Sequence, residues 1–254
     1  GLANWFKNSF EKGLEIGKKS KKDSIVFFNE LISNDHLVDN WIQGKFKLEG
    51  LITEPSLAHW IPKLLPSNFS KMLSASSPVR DWISFSGSAC FQSRCFSFRG
   101  ASGIDGTLSL AMGLSIELGP MILVTGDLAL FHDTNGWLFS HSYKPPLIIF
   151  LIDNGGGGIF NQLGLEKFFR GSFKRLFSMP QMVDPLKLVS AYGIPSRQIS
   201  CLEDLPRALE WGISINGPVL LRVSTCPEKD KDLRKELQVG LKAHLRRIIQ
   251  DEGA

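Results

Sequence analysis

Two polar side chains lie just beyond apolar segments in the middle of the chain, where buried strands would end. Asp127 follows the segment MILV (121–124), Asn154 follows LIIFLI (147–152), and four consecutive glycines, Gly155 to Gly158, come next. Carboxylate, amide and carbonyl oxygens are the ligands that Mg²⁺ prefers, usually together with phosphate oxygens and water. Glycines let a backbone approach a pyrophosphate closely and adopt positive φ. These residue types therefore indicate a magnesium-bridged phosphate site.

The spacing of the two side chains is that of one crossover between parallel strands. The 27 positions from Asp127 to Asn154 accommodate one helix and one strand. The carboxyl ends of such strands meet at the same edge of the sheet, and neighbouring strands are about 4.8 Å apart. We therefore expect both side chains to meet at a single ion, with a glycine carbonyl as a third ligand. The alternative that remains open is that Asp127 caps a helix and the glycines form a loose turn.

Strand and helix patterns alternate around this segment and predict a doubly wound α/β fold with a parallel sheet and helices on both faces. The apolar segments at 121–124, 147–152 and 218–223 lack polar alternation, as strands covered on both faces do. Helical periodicity covers 104–118, 184–193 and 201–214, with a capping box at Ser200 and Glu203 and a stop at Gly193. A charged amphipathic helix is expected after residue 229.

The N-terminal region has a different pattern. Residues 1–48 are lysine-rich and helical without alternating strands, so we predict the tail of a preceding domain or a linker helix. Residues 49–254 then form the phosphate-binding domain, which opens with a helix capped by Thr53 with Glu54 and Pro55 in its first turn. The chain begins with Gly1 and not Met, which favours a piece of a longer protein.

Composition excludes several classes of function. The 254 residues are 43% hydrophobic and carry a net charge of +4, and we expect a globular protein without a membrane span or a secretion signal. The basic segments lack interleaved aromatic residues, so nucleic-acid binding is not expected. Four scattered cysteines without C-x-x-C spacing indicate reduced thiols in a reducing compartment.

Three better-known motifs fail at the residues they require. A dinucleotide fingerprint beginning at Gly155 needs glycine where Phe160 stands, and one beginning at Gly156 meets Asn161. No G-K-[ST] sequence is present for a Walker A loop. A G-x-S-x-G nucleophile motif around Ser102 fails at Ile104.

The segments GDLALFHDTNGWL (126–138) and DNGGGGIF (153–160), with RGASGIDG (99–106) upstream, resemble the thiamine diphosphate motif of the 2-succinyl-5-enolpyruvyl-6-hydroxy-3-cyclohexene-1-carboxylate synthase family. The resemblance covers about four fifths of the chain. It implies thiamine diphosphate and Mg²⁺, or Mn²⁺, as cofactors, with Asp127, Asn154 and the Gly156 carbonyl as metal ligands. It implies Ile104 as the wedge under the bent cofactor. The other implied cofactor contacts are Ser102, Gly103, Gly126, Leu128, Gly157 and Ile159.

The same resemblance implies a substrate site. Ser76 and Arg80 in SSPVRDW (76–82) and Arg99 match family positions that bind substrate, as do Ile159, Phe160 and Leu163. The family substrates, 2-oxoglutarate and isochorismate, each carry two carboxylates, which arginines bind through paired hydrogen bonds. Phe98 and Ala75 replace two asparagines of the family. The hydrogen bonds that those asparagines would make are therefore not expected here, whereas the expectation for the arginines is unchanged.

The reaction implied is decarboxylation of 2-oxoglutarate and 1,4-addition of the succinyl unit to isochorismate, on the route to menaquinone or phylloquinone. The activating glutamate of the family lies in an N-terminal pyrimidine-binding domain, usually of a partner subunit, and no segment here resembles that domain. We therefore expect the C-terminal part of a cytoplasmic or plastid synthase that is a homodimer or homotetramer at full length. Two alternatives stay open: another thiamine diphosphate-dependent decarboxylase or synthase of the acetolactate type, and a non-catalytic assembly module.

Overall fold

The described part of the chain forms two units, each considered by itself. The computed structural model describes residues 21–91, 93–98, 100, 102–169 and 171–252. Contacts divide the chain into Gly1–Lys45 and Phe46–Ala254. The described part of the first unit is mainly one helix, α1 (Lys21–Gln43). The assignment of residues 1–48 to a preceding domain stays a prediction.

In its described residues, the second unit is built on a sheet of six parallel strands, which confirms the predicted doubly wound α/β fold. The strands are β1 (Ser70–Leu73), β2 (Cys95–Ser97), β3 (Met121–Gly126), β4 (Leu147–Asp153), β5 (Ser196–Ile199) and β6 (Pro218–Ser224). Their order is β2-β1-β3-β4-β6-β5. The register pairs Gly126 of β3 with Ile152 of β4, so the two central strands end side by side.

Helices cover both faces of this sheet. They are α2 (Glu54–Leu64), α3 (Ser77–Phe85), α4 (Thr107–Leu118), α5 (Asp127–His132), α6 (Pro185–Ala191), α7 (Leu205–Ile213) and α8 (Pro227–Glu252). One core joins α2, α3 and α7 to strand residues such as Ile148 and Phe150. The other core joins α4, α5 and α6 to the alternate residues, such as Leu147 and Ile149. Because successive strand side chains point to opposite faces, one uninterrupted apolar strand supplies both cores.

Three strands were not predicted, and each has a weaker pattern than the central ones. β1 has the sequence SKML, with a serine and a lysine that are buried nonetheless. β2 and β5 are the edge strands, and β5 has the largely polar sequence SRQI. An edge strand has one neighbour and incomplete cover, so the sequence need not be continuously apolar.

The local signals for helix ends were partly right. Thr53 caps α2 in a capping box with Ser56, as expected for a helix start at Glu54. Gly193 follows α6 with a φ of +70°, a conformation that favours glycine at a helix end. The capping box expected at Ser200 and Glu203 is wrong, because a 3₁₀ turn (Leu202–Asp204) precedes α7. No described helix has the length and apolar character needed to cross a bilayer.

The chain order around β1 creates a crevice at one edge of the sheet. The chain passes from β1 to β2 on one side and then returns to β3 on the other side of β1. Ligands of open α/β sheets bind beyond the carboxyl ends of the strands where the strand order reverses in this way. The segments that follow β1, β3 and β4 meet at this point.

Candidate functional site

A cavity of about 270 Å³ lies at the carboxyl ends of β1, β3 and β4. Its lining comes from the start of α2, the segment after β1, the start of α5, the glycine loop after β4 and a later segment near residue 178. The lining residues are Glu54, Ala75, Ser76, Ser77, Pro78, Ile104, Gly126, Asp127, Leu128, Ala129, Ile152, Asn154, Gly156, Gly157, Gly158, Ile159, Phe160, Phe177 and Met179.

Asp127 is one of the buried acids of the cavity. It begins α5 directly after β3, is 3% exposed, and accepts a hydrogen bond from the Leu128 N–H at 2.8 Å. The pKa of Asp127 is raised to about 7, mainly by burial and in part by the neighbouring Asp153 carboxylate, whereas the N–H groups of Leu128 and Gly156 act to lower it. A bound divalent cation would favour the ionised carboxylate, because its charge opposes the effect of burial.

Asn154 presents an amide oxygen that lacks a protein partner. The Asn154 Nδ2 donates to Glu54 Oε1 at 2.7 Å. The Asn154 Oδ1 is buried and has no hydrogen-bond partner among the described residues. Buried oxygen acceptors in native proteins normally have a hydrogen-bond partner, so an unpaired amide oxygen beside a cavity fits the role of a cation ligand. The residues present therefore fit the metal that the sequence indicates.

Contacts with the rest of the protein hold the glycine loop in place. Gly155 and Gly156 have φ values of +76° and +122°. The Gly157 N–H donates to the Ser178 carbonyl at 2.6 Å, and a Cβ on Gly156 would overlap that same carbonyl oxygen. The Gly156 carbonyl accepts the Gly158 N–H at 2.9 Å, which leaves one of its two lone pairs for a cation.

Neither backbone strain nor packing within the protein explains why residue 126 is a glycine. Its φ of −82° is open to any residue. A Cβ at this position would meet no described atom within 4 Å. Since Gly126 lines the cavity, a side chain at this position would extend into space that a ligand could occupy.

The structure brings together most, but not all, of the predicted site residues. The cavity lining includes Ser76, Ile104, Gly126, Asp127, Leu128, Asn154, Gly156, Gly157, Ile159 and Phe160. Ser102, Gly103, Arg80 and Leu163 do not line it. Arg80 is exposed and donates to the Ser76 carbonyl at 2.7 Å, and Leu163 is 64% exposed. Arg99 lies outside the described residues. The binding roles of all these residues stay predictions.

Ser76 has an unusual backbone. Its φ of +79° is rare for a residue other than glycine, and its side chain makes no capping hydrogen bond to α3. Such strained residues cluster at ligand sites, where the surrounding fold compensates for their cost. This conformation places Ser76 and its carbonyl at the cavity while Arg80 holds that carbonyl.

Three lining residues had no motif that could have identified them. Glu54 was interpreted only as a first-turn acid of α2, which is an ordinary position for a glutamate. Phe177 and Met179 reach the cavity because the segment containing them packs on the glycine loop. No local pattern in the sequence signals either contact.

Glu54 belongs to a buried charged cluster beside the cavity. The Arg234 Nη2 donates to Glu54 Oε2 at 2.8 Å and to Asp81 Oδ2 at 2.6 Å. The Glu54 N–H donates to Asp230 Oδ1 at 2.9 Å. The pKa values of both Asp81 and Asp230 are raised to about 7, mainly by burial and in part by the nearby Glu54, whereas Arg234 acts to lower them. Two carboxylates thus share one guanidinium, and the carboxyl group of Asp230 lies close by without bonding to it.

The described cysteine thiols take no part in this site. Cys201 and Cys226 are free thiols, and neither of them nor Cys95 lines the cavity. Within the described ranges, no group of three or more His, Cys, Asp or Glu side chains is arranged to hold a metal ion. A metal at the cavity would accordingly depend on amide and carbonyl oxygens in addition to Asp127.

Comparisons with known proteins agree with this geometry. The chain is 49% identical to the 2-succinyl-5-enolpyruvyl-6-hydroxy-3-cyclohexene-1-carboxylate synthase of Prochlorococcus marinus (strain MIT 9313), over 99% of the chain and 43% of that relative. It is 55% identical to the synthase of the same name from Synechococcus sp. (strain CC9311), over 95% of the chain and 42% of the relative. The chain therefore spans about two fifths of the length of these relatives.

Solved structures share the fold at low sequence identity. Benzoylformate decarboxylase from Polynucleobacter necessarius matches with a TM-score of 0.55 and 16% identity, over 68% of this chain and 33% of that one. At this identity the match concerns the fold alone. Residues 80–223 match the family described as "Thiamine pyrophosphate enzyme, C-terminal TPP binding domain". With that match over more than half of its length, the chain belongs to the C-terminal TPP binding domain family of thiamine pyrophosphate enzymes.

Proposed function

We propose that the chain is the C-terminal part of a thiamine diphosphate-dependent synthase that decarboxylates 2-oxoglutarate and joins the succinyl unit to isochorismate. The observation that carries the proposal is the buried, unpaired Asn154 Oδ1 at the same cavity as the Asp127 carboxylate. The names of the relatives support this choice of reaction. The pathway is that of menaquinone or phylloquinone.

In this proposal, the protein holds and orients the cofactor. Asp127, Asn154 and the Gly156 carbonyl would hold Mg²⁺ or Mn²⁺, which would neutralise the charge of the diphosphate. Ile104, which lines the cavity, is proposed to support the bent cofactor. Thiamine diphosphate, when bound, supplies the carbanion chemistry that decarboxylation and carbon–carbon bond formation require. The side chains of this chain position the charges and exclude water around it.

The remaining groups are expected from elsewhere in the enzyme. A glutamate that activates the cofactor is proposed to come from a pyrimidine-binding domain of the same enzyme, in a homodimer or homotetramer. We expect the 254 residues alone to bind the diphosphate weakly and not to turn over. Measurable succinyl transfer by the purified chain alone would contradict this expectation.

A calorimetric titration tests the cofactor site directly. The chain is titrated with thiamine diphosphate in the presence of Mg²⁺, alongside Asp127→Asn and the control Asp232→Asn, an exposed aspartate of α8. Loss of one charged metal ligand is expected to weaken binding at least about tenfold, which corresponds to about 1.4 kcal/mol. If the unsubstituted chain releases no heat, or Asp127→Asn matches the control, the cofactor site is wrong.

A second candidate is a related enzyme with a smaller 2-oxo acid donor. The observation that favours it is the position of Arg80, which is exposed and does not line the cavity. A monocarboxylate such as pyruvate needs no arginine clamp. Decarboxylation assays of the full-length enzyme with 2-oxoglutarate and with pyruvate separate the two candidates.

A further inference from the structure

We propose that Glu54 is a positioning residue that turns the Asn154 amide so that its oxygen, and not its nitrogen, faces the cation site. This inference rests on the metal site of the proposed function. Glu54 lies 100 residues before Asn154 in the chain and belongs to none of the glycine-rich motifs. The inference adds to that site a residue from the start of α2.

An asparagine amide needs such a partner because its two ends have nearly the same shape and opposite chemistry. The oxygen can bind a cation, whereas the NH₂ group can only donate hydrogen bonds. At 2.7 Å from Glu54 Oε1, the facing atom of Asn154 must be a donor, because an ionised carboxylate only accepts. Contact with Glu54 therefore assigns the nitrogen to that side and leaves the oxygen for the cavity.

The amide also has little room to adopt another position. A Cβ on Gly158 would lie 2.6 Å from Asn154 Nδ2, so the amide is packed directly against the backbone of the glycine loop. The amide can still turn over in place, because this exchanges the oxygen and nitrogen without changing the shape. Only the hydrogen-bond partner distinguishes the two orientations.

Two contacts besides that with Asn154 hold Glu54 in place. Its backbone N–H donates to Asp230 Oδ1 at 2.9 Å, and its Oε2 accepts from Arg234 Nη2 at 2.8 Å. Arg234 is fixed in turn by Asp81 through two hydrogen bonds. Glu54 is 3% exposed. Partners of metal ligands that are fixed in this way orient the ligand and change metal affinity about 10- to 100-fold when they are replaced.

If Glu54 served only in a structural ion pair, its contact with Arg234 would be sufficient. The Oε2 contact with Arg234 explains why a glutamate links α2 to α8. It does not explain the second oxygen, Oε1, which contacts Asn154 at the cavity. A structural role and an orienting role therefore predict different results for a variant in which one carboxylate oxygen of Glu54 is replaced by an NH₂ group.

Glu54→Gln is the variant that makes this replacement at constant shape. The Arg234 guanidinium has only donors, so it holds the new amide oxygen and leaves the new NH₂ group facing residue 154. Asn154 must then turn its oxygen toward that NH₂ group and its own NH₂ toward the cation site. A second substitution, Asn154→Asp, removes the conflict, because one carboxylate oxygen accepts from the introduced amide and the other remains for the cation.

Binding of Mn²⁺ in the presence of thiamine diphosphate, followed by the electron paramagnetic resonance signal of free Mn²⁺, measures the effect without turnover. We expect Glu54→Gln to weaken Mn²⁺ binding about 10- to 100-fold. The double variant Glu54→Gln with Asn154→Asp is expected to recover most of this loss. Asp232→Asn, at an exposed aspartate of α8 outside this cluster, is expected to leave Mn²⁺ affinity unchanged.

Each other outcome overturns a defined part of the reasoning. If Glu54→Gln binds Mn²⁺ as tightly as the unsubstituted chain, Glu54 does not orient Asn154. If the affinity falls and the double variant does not recover it, or if Asp232→Asn lowers it equally, the proposed orienting role of Glu54 is wrong. If the unsubstituted chain binds no Mn²⁺, the metal site of the proposed function is wrong, and its positioning residue with it.

Discussion

Asp230→Asn is expected to stabilise the chain at neutral and alkaline pH, although it removes a buried acid. Asp230 is 1% exposed, and its Oδ1 accepts the N–H of Glu54 at 2.9 Å. Its Oδ2 is buried without a hydrogen-bond partner in the described part of the chain. An asparagine keeps the accepting oxygen and places an uncharged NH₂ where the unpaired oxygen was. The substitution therefore removes a buried charge and retains the hydrogen bond at the start of α2.

The size of the expected stabilisation follows from the pKa of Asp230. That pKa is raised from 3.8 to about 7, mainly by burial and in part by Glu54. Each pKa unit corresponds to about 1.4 kcal/mol, so the ionised group destabilises the fold by about 4 kcal/mol above pH 7. Below about pH 4 the carboxyl is protonated in both states, and the penalty is absent. Stability is lost as the pH rises from about 4 to about 7, because the unfolded chain ionises first.

One smaller effect opposes the gain. Asp230 lies in the first turn of α8, where a negative charge stabilises a helix by about 0.3 to 1 kcal/mol. The net gain expected from Asp230→Asn is therefore about 3 kcal/mol at about pH 8 and close to zero at about pH 4. Asp232→Asn is the matched control, because Asp232 lies near the same helix end but is exposed.

Urea unfolding of the three chains at about pH 4, 6 and 8 measures these differences as free energies of unfolding. The difference between Asp230→Asn and the unsubstituted chain should grow with pH, whereas that of Asp232→Asn should stay within about 1 kcal/mol. If the stability advantage of Asp230→Asn over the unsubstituted chain does not increase from the acidic to the alkaline end of this range, the reasoning is refuted. An equal gain in the control refutes it as well.

The remaining predictions concern the cavity walls. Gly156→Ala should lower the free energy of unfolding by more than about 3 kcal/mol, because its Cβ overlaps the Ser178 carbonyl at a φ that disfavours side chains. Gly155→Ala, with open space around it, should cost only about 1 to 2 kcal/mol in the same urea experiment, and equal losses would contradict the packing argument. Ile104→Ala should weaken thiamine diphosphate binding about tenfold in calorimetry, or about 1.4 kcal/mol, with little change in stability, since Ile104 is 36% exposed. Ile116→Ala, at a 67% exposed position on α4, should change neither, and an unchanged affinity in Ile104→Ala would remove its role.

The central strands could be predicted because their burial appears directly in the sequence. Every residue of β4 from Leu147 to Ile152 is buried, since both faces of that strand pack against helices. β1 and β5 could not be predicted in the same way. Lys71 in β1 is 1% exposed, and its burial depends on the surrounding sheet and on contacts such as that with the Trp82 ring. A lysine in a short segment does not indicate a buried strand.

The predicted substrate residues show where a local motif stops being informative. Arg80 lies one turn into α3, so its direction depends on the strained start of that helix at Ser76. In the structure this arginine bonds to the Ser76 carbonyl and is exposed. A motif gives the residue type and its spacing, whereas the path of the backbone determines which surface the side chain reaches.

The sequence by itself determined the parallel sheet, the side-by-side ends of β3 and β4, and the placing of Asp127, Asn154 and the glycines at one edge. These features depend on short apolar segments and on spacing along the chain, which local patterns record. Only the tertiary structure decided that Glu54 faces Asn154 and that Arg234, 180 residues beyond Glu54, holds it. Such contacts join residues far apart in the chain, and their energy depends on burial and distance in the folded state. No pattern within one segment specifies them.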